Sequence, residues 1–216
     1  MNPPRVIAID GTSASGKSTN AKLVAKALNY VYVDTGAMYR TLAWHCLKRK
    51  VDIHDAKAVA GACRSWKTSL VCVEGQVRLL VDGYHPALEI RTDETSAAVP
   101  HVAAVPQVRA WMKKTQRACI QFGNLVMEGR DIGSNVFPET DFKFYLDAAL
   151  EERSKRRAAE GIHENLAARD QRDSQRAVAP LMIPLGATVI NNSRLTSAET
   201  SKLILESIQA KPGIAP

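Results

Sequence analysis

Gly11-Thr12-Ser13-Ala14-Ser15-Gly16-Lys17-Ser18 decides how this chain is read. The stretch fits G-x-x-x-x-G-K-[ST] at every fixed position. It follows an apolar run, Val6-Ile7-Ala8-Ile9-Asp10, and opens a segment, Lys17–Leu28, with Leu23, Val24, Ala27 and Leu28 on one helical stripe. Strand, glycine-rich turn and helix in that order make a phosphate-binding loop. Its glycines let successive backbone N–H groups converge on phosphate oxygens, and the helix N-terminus adds partial positive charge. Lys17 can reach the β- and γ-phosphates of a nucleoside triphosphate, and the Ser18 hydroxyl can ligand Mg2+. Gly11 through Ser18, with Thr19, are the expected ATP-binding residues. An ordinary Gly/Ser turn is the bland alternative, which motif and context together disfavour. The loop names a donor and leaves the acceptor open.

Outward from the loop, four more apolar runs recur: Tyr30–Asp34, Leu125–Glu128, Phe142–Asp147 and Thr188–Asn191. Most are continuous rather than alternating, as in strands covered on both faces. Several end in an acid (Asp10, Asp34, Glu128, Asp147), and functional groups of open parallel sheets sit at that end. Helical patterns lie between them, including Gln107–Phe122 with Val108, Trp111, Met112, Thr115 and Cys119 in register. Alternating strands and helices predict a doubly wound α/β fold, a five-stranded parallel sheet flanked by helices. One region breaks the alternation, because about 90 residues separate the second and third runs, more than one crossover needs. Within it, Ser69–Val73, Glu74-Gly75 and Gln76–Val81 read as a β-hairpin, a small β-rich insertion. A charged helical stretch follows at 150–176, and disorder is expected at 211–216.

The chain has 216 residues, 45% hydrophobic, with 29 Lys+Arg against 22 Asp+Glu. One domain with an insertion is expected, with enough apolar residues for a core. No apolar run is long enough to span a membrane, and the opening residues lack a signal-peptide pattern, so a cytoplasmic protein is expected. Cys46, Cys63, Cys72 and Cys119 have no metal spacing and read as reduced buried thiols. The net charge of +7 points to nucleic acid, anionic lipid or small phosphorylated molecules. Placement chooses among them: the arginines recur in fixed motifs interleaved with acids, unlike a phosphate-backbone footprint. A non-enzymatic basic module is the distant alternative.

Four further segments carry those motifs: Asp34-Thr35-Gly36-Ala37-Met38-Tyr39-Arg40; Glu89-Ile90-Arg91-Thr92 leading to Arg109; Glu128-Gly129-Arg130-Asp131-Ile132-Gly133; and Arg169 to Leu181, which fits R-D-x-R-D-x-x-R-A-x-x-P-L. With the loop and the insertion, over nearly the whole chain, they resemble the bacterial cytidylate kinases, P-loop nucleoside monophosphate kinases. The resemblance implies ATP-dependent phosphorylation of CMP and dCMP by a monomer with Mg2+, and no nucleic-acid or membrane partner. It implies an NMP-binding insertion at 35–104 and a lid with its arginine-rich continuation at 150–176. A kinase for another small acceptor, such as UMP, is the alternative.

The same resemblance distributes roles. Arg40, Arg130 and Arg176 would hold the acceptor phosphate, and the planar guanidinium suits bidentate phosphate bonding. Thr35, Arg109 and Asp131 would bond the cytosine edge, which needs one carboxylate and one cation. Arg169 and Asp173 would contact the sugar, and Tyr39 would line the nucleotide pocket. Glu128 would organise water around the metal. Arg153 and Arg157, one helical turn apart, would join Lys17 and Arg130 in catalysis by reaching the donor phosphates. Bland alternatives stand beside these: a solvated helix face for Arg153 and Arg157, structural ion pairs for Asp131 and Asp173, helix capping for Asp34. The sequence departs from the family at Pro100, where relatives commonly carry Ser.

Overall fold

A computed structural model of the chain describes residues 3–161 and 165–211. The expected tail, beyond Lys211, lies outside the described residues, as do positions 162–164 of the charged stretch. The elements run β1 (Val6–Gly11), α1 (Lys17–Leu28), β2 (Val31–Asp34), α2 (Thr35–Lys48), α3 (Ala56–Cys63), β3 (Thr68–Val73), β4 (Gln76–Val81), α4 (Asp93–Ala104) and α5 (Pro106–Ala118). They continue with β5 (Leu125–Glu128), β6 (Phe142–Asp147), α6 (Leu150–Ala159), α7 (Leu166–Ser174), β7 (Thr188–Asn191) and α8 (Ser197–Gln209). Two compact units divide them: the described residues up to Tyr32 and from Gly123 onward form one, and Val33–Phe122 form the other.

In the first unit β1 lies between β5 and β6 and runs parallel to both, with Val6 opposite Leu125 and Ile7 opposite Phe142. β7 pairs in parallel with β6. The order is β2-β5-β1-β6-β7, with Val31 N donating to Asn124 O at 2.8 Å where β2 begins. All six residues of β1 are buried, which explains its unbroken apolar run. Ile7, Ile9, Val126, Phe144 and Leu146 pack with Val24 and Ala25 of α1 and with Ile204 and Ile208 of α8. Each of these side chains except the small Ala25 contributes about 1.5–3 kcal/mol on burial. Thr196 and Glu199 form a reciprocal capping box that starts α8. This packing fixes the carboxyl end of β1, and with it the loop.

The second unit contains the expected hairpin, β3 and β4, antiparallel with Val73 opposite Gln76. Glu74 and Gly75 both have positive φ, 53° and 72°, the two-residue turn that matches the strand twist. Val77, Leu79 and Val81 bury one face of β4. Asp34 caps α2 by accepting from Ala37 N at 2.8 Å, so the capping reading of that acid is realised. Trp66 and Trp111 meet edge to face at 6.0 Å, as packing residues of this unit. Pro100 lies inside α4.

Three expectations need adjustment. The sheet has seven strands, in the order β3-β4-β2-β5-β1-β6-β7, rather than five, because the antiparallel hairpin strands belong to the same sheet. The helix read over Gln107–Phe122 is α-helical only to Ala118 and tightens to a 3-10 turn over Cys119–Phe122. Three cysteines are buried but Cys72 is exposed, since it sits near the turn end of β3, where side chains project to solvent. Burial pushes the Cys46 and Cys119 thiols up to about 12 and that of Cys63 to about 11, so these three are unreactive. Among the described residues no helix is long and apolar enough to cross a membrane.

Candidate functional site

The loop in the first unit starts where β1 ends. Gly11 adopts φ +151°, and a Cβ there would lie 2.0 Å from the carbonyl oxygen of Leu146 on β6. Gly16 adopts φ +83° as the N-cap of α1. Between them Ser13 and Ser15 are buried, Lys17 is buried at the start of α1, and Ser18 and Thr19 are exposed on its first turn. Lys17 Nζ donates back to Thr12 O and lies 3.5 Å from Ser15 Oγ. Burial, followed by the Arg130 cation, holds the Lys17 ammonium well below the ordinary lysine range.

Four long-range contacts brace this loop. Thr12 Oγ1 donates to Asp147 Oδ1 at 3.0 Å, at the end of β6. Asn192, just past β7, donates from Nδ2 to Ser15 O at 2.8 Å, and its own carbonyl oxygens accept from Arg156. Ser13 N donates to Asp170 Oδ1 at 3.0 Å. Arg153 pairs with Asp170 Oδ2 and also donates to Ala148 O and Ser13 O. Of these partners, sequence reasoning singled out Arg153 and noted Asp147 as a strand-end acid. It gave no role to Asn192 or Arg156, nor to Asp170, although Asp170 is a fixed position of the motif that begins at Arg169.

The Glu128–Gly133 segment leaves β5 beside the loop. Asp10, fully buried, accepts from Ile132 N at 2.8 Å and Gly133 N at 2.7 Å, tying β1 to the start of a short π-helical turn over Ile132–Val136. Such turns recur at functional sites. Glu128 is buried and accepts from Tyr32 Oη at 2.6 Å. Asp131, also buried, accepts from Asn135 Nδ2 at 2.9 Å. Arg130 Nε donates to Asp173 Oδ2 at 2.9 Å, and Arg176 pairs with the other oxygen of the same carboxylate. Burial acts to raise the Asp173 pKa, but the Arg130 and Arg176 guanidiniums outweigh it and hold the carboxyl below its ordinary range. Arg130, Asp173 and Arg176 are thus brought together, and Arg169 lies near enough to depress the Lys17 pKa. Arg157, by contrast, pairs with Glu160 at 2.8 Å, a mostly buried guanidinium meeting a carboxylate exposed to solvent.

Asp10 carries a pH prediction. Its burial, opposed by the two N–H bonds, raises its pKa from 3.8 to about 7. Between those values the folded protein holds a proton that the unfolded chain has lost, so this carboxyl makes stability fall as pH rises through that window. In Asp10→Asn that component is expected to vanish. Thermal unfolding of both proteins at pH 5 and pH 8 checks it; equal Tm changes in the two would contradict it.

In the second unit Thr35 is buried as the first residue of α2. Arg109 is buried, donates to Ala103 O at 3.4 Å and places its guanidinium 5.7 Å from the centre of the Tyr39 ring. Arg40 reaches Ser96 Oγ at 3.2 Å and Ile90 O at 3.5 Å. Ser96 lies one helical turn before Pro100, and its hydroxyl was not anticipated from the motif.

Comparison with known proteins adds to this geometry. Residues 7–210 match the family described as Cytidylate kinase. The chain is 42% identical to a protein of Bacillus velezensis named cytidylate kinase, covering 98% of this chain and 99% of that protein. It is 38% identical to one of the same name from Bacillus subtilis, over 95% and 96%. Among solved structures, that of TT1252 from Thermus thermophilus superposes with a TM-score of 0.51 at 19% identity, over 99% of this chain and 100% of that one, a likeness of fold.

Proposed function

Because this chain belongs to the cytidylate kinase family, we propose that it transfers the γ-phosphoryl group of ATP to CMP and dCMP. The observation that carries the reading is the pairing of a braced P-loop with an arginine–aspartate cluster, Arg130, Asp173 and Arg176, in one unit. A phosphate oxygen of the acceptor attacks the γ-phosphorus in line, the bond to the β,γ-bridging oxygen breaks, and ADP leaves. No side chain becomes a nucleophile. The protein's work is alignment and stabilisation of charge.

In this scheme the loop amides and Lys17 hold the donor, and phosphate oxygens beside Lys17 raise its depressed pKa and keep it charged. Arg130 and Arg176, released from Asp173 or sharing it, hold the acceptor phosphate with Arg40. Arg153 is the reserve cation for the moving phosphoryl group; such an arginine is worth roughly 10³–10⁵ in rate. Arg157 joins it by exchanging Glu160 for phosphate. Arg169 and Asp173 serve the sugar. Thr35, Arg109 and Asp131 read the base, with Tyr39 as the wall under Arg109.

Mg2+ is part of the proposal. The exposed Ser18 hydroxyl and the buried Glu128 carboxylate are hard oxygen donors, and few protein ligands plus waters and phosphate suit this ion. Ser18 would hold it directly and Glu128 through water; when bound, it neutralises phosphate charge. The proposal further includes a monomer working in the cytoplasm on small molecules, with neither nucleic acid nor membrane as partner. The segments 35–104 and 150–176 would serve acceptor binding and donor cover.

ADP release measured across CMP, dCMP, UMP, AMP and shikimate tests the function. CMP and dCMP are expected to give the highest kcat/KM; a best rate with UMP or a non-nucleotide would refute it. Asp131→Ala is expected to lower the preference for CMP over UMP by roughly tenfold or more, because the base edge loses a matched polar partner. An unchanged ratio would remove Asp131 from base recognition.

A further inference from the structure

We propose that Asp170 is a positioning residue that acts as an internal stand-in for donor phosphate, occupying an amide of the P-loop and holding Arg153 beside it until the donor arrives. This rests on the reading of the loop as the donor site. Three contacts carry it. Asp170 Oδ1 accepts from Ser13 N at 3.0 Å, and Ser13 belongs to the loop whose N–H groups would face the donor phosphates on that reading. Asp170 Oδ2 pairs with the guanidinium of Arg153. The same guanidinium donates to Ser13 O at 3.2 Å, so cation, anion and loop backbone close one small ring.

The ring is well shielded: the Arg153 side chain is 9% exposed and that of Asp170 15%. A carboxylate that bonds a loop amide and an arginine has the charge and hydrogen-bonding pattern of one edge of a phosphate. Both anions cannot use the Ser13 amide at once, and like charges at contact distance in a shielded site repel strongly. Donor binding therefore has to displace Asp170. The displacement leaves Arg153 next to the loop without its carboxylate, directed by its remaining bonds to Ala148 O and Ser13 O. Asp170 thereby lowers donor affinity while keeping an arginine stored where phosphate charge will appear. Neither oxygen of Asp170 needs to touch substrate in the reaction.

Binding of ATP and of inorganic triphosphate, measured without acceptor, tests this in the wild type, Asp170→Asn and Asp170→Glu. Asp170→Asn keeps the shape and removes the charge, and is expected to bind both ligands roughly tenfold more tightly, with the CMP KM unchanged. Asp170→Glu restores the charge and is expected to return affinity toward that of the wild type. A merely structural role for Asp170 predicts the opposite sign, weaker binding with a lower Tm. Equal or weaker triphosphate binding by a folded Asp170→Asn would overturn the inference and leave the donor site standing. Failure of wild type and variant alike to bind either ligand would overturn it together with the donor-site reading. If Asp170→Asn does not fold, Asp170→Ala is read by the same measurement.

Discussion

Lys17→Ala is expected to lower kcat by at least about a thousandfold while leaving Tm within a few degrees of the wild type. On the proposed reading Lys17 is the side chain that the loop delivers to the donor phosphates. Arg130 and Arg169 are near enough to depress its pKa, but they are held by other elements. Removing a charge stabilised only where phosphate charge develops should act on kcat rather than on binding alone. Stability should change little, because relief from burying the ammonium is offset by loss of its bonds to Thr12 O and Ser15 Oγ. Rapid-quench measurement of transfer, beside thermal unfolding, checks both halves. Turnover within about tenfold of wild type would contradict the assignment of the loop.

Gly11→Ala should have the second large effect, this time on the fold. The residue sits at φ +151°, and its Cβ would meet the Leu146 carbonyl oxygen at 2.0 Å. That oxygen belongs to the backbone of β6, the register partner of Gly11, so no side-chain rotation relieves the contact. Relief requires prising β1 from β6 at the end where the loop begins. A cost of roughly 4 kcal/mol or more is expected, which lowers Tm by about 10 °C or more for a chain of this size. Donor binding should fall with it. A soluble variant with a wild-type Tm would show that the strand end yields more readily than its packing implies.

Much of the fold was legible in short stretches. The loop obeys a fixed spacing because each position answers a local need: φ beyond the reach of most residues at Gly11 and Gly16, a cation at Lys17, a hydroxyl at Ser18. The five apolar runs were visible as strands, most plainly β1 and β5, where burial of every residue demands a continuous apolar run. The hairpin was visible because Glu74-Gly75 accepts two successive positive φ values. The resemblance grouped Arg130 and Arg176 with Arg40 on the acceptor phosphate and Asp173 with Arg169 on the sugar; that Arg130 and Arg176 share the Asp173 carboxylate appears only in the fold.

The partners of the loop were not legible. Ser13 and Asp170 are separated by 157 residues, Ser15 and Asn192 by 177, and Asp10 and Ile132 by 122. No periodicity links such positions; parallel pairing of β1 with β5 and β6 brings their ends together. Nor could sequence separate the two arginines of α6, since spacing puts Arg153 and Arg157 on one helix face alike. The structure turns Arg153 into the loop and leaves Arg157 with Glu160.

The sequence by itself therefore determined the donor-binding loop, the strand-and-helix architecture and the family, because those depend on local backbone needs and burial patterns. Only the tertiary structure decided which groups meet these acids: Arg153 at Asp170, Arg130 and Arg176 at Asp173, and two backbone N–H donors at Asp10. The reason is physical. A buried charge must be met by whichever partner the fold brings within hydrogen-bond reach, and that reach is set by packing across more than a hundred residues rather than by neighbours along the chain.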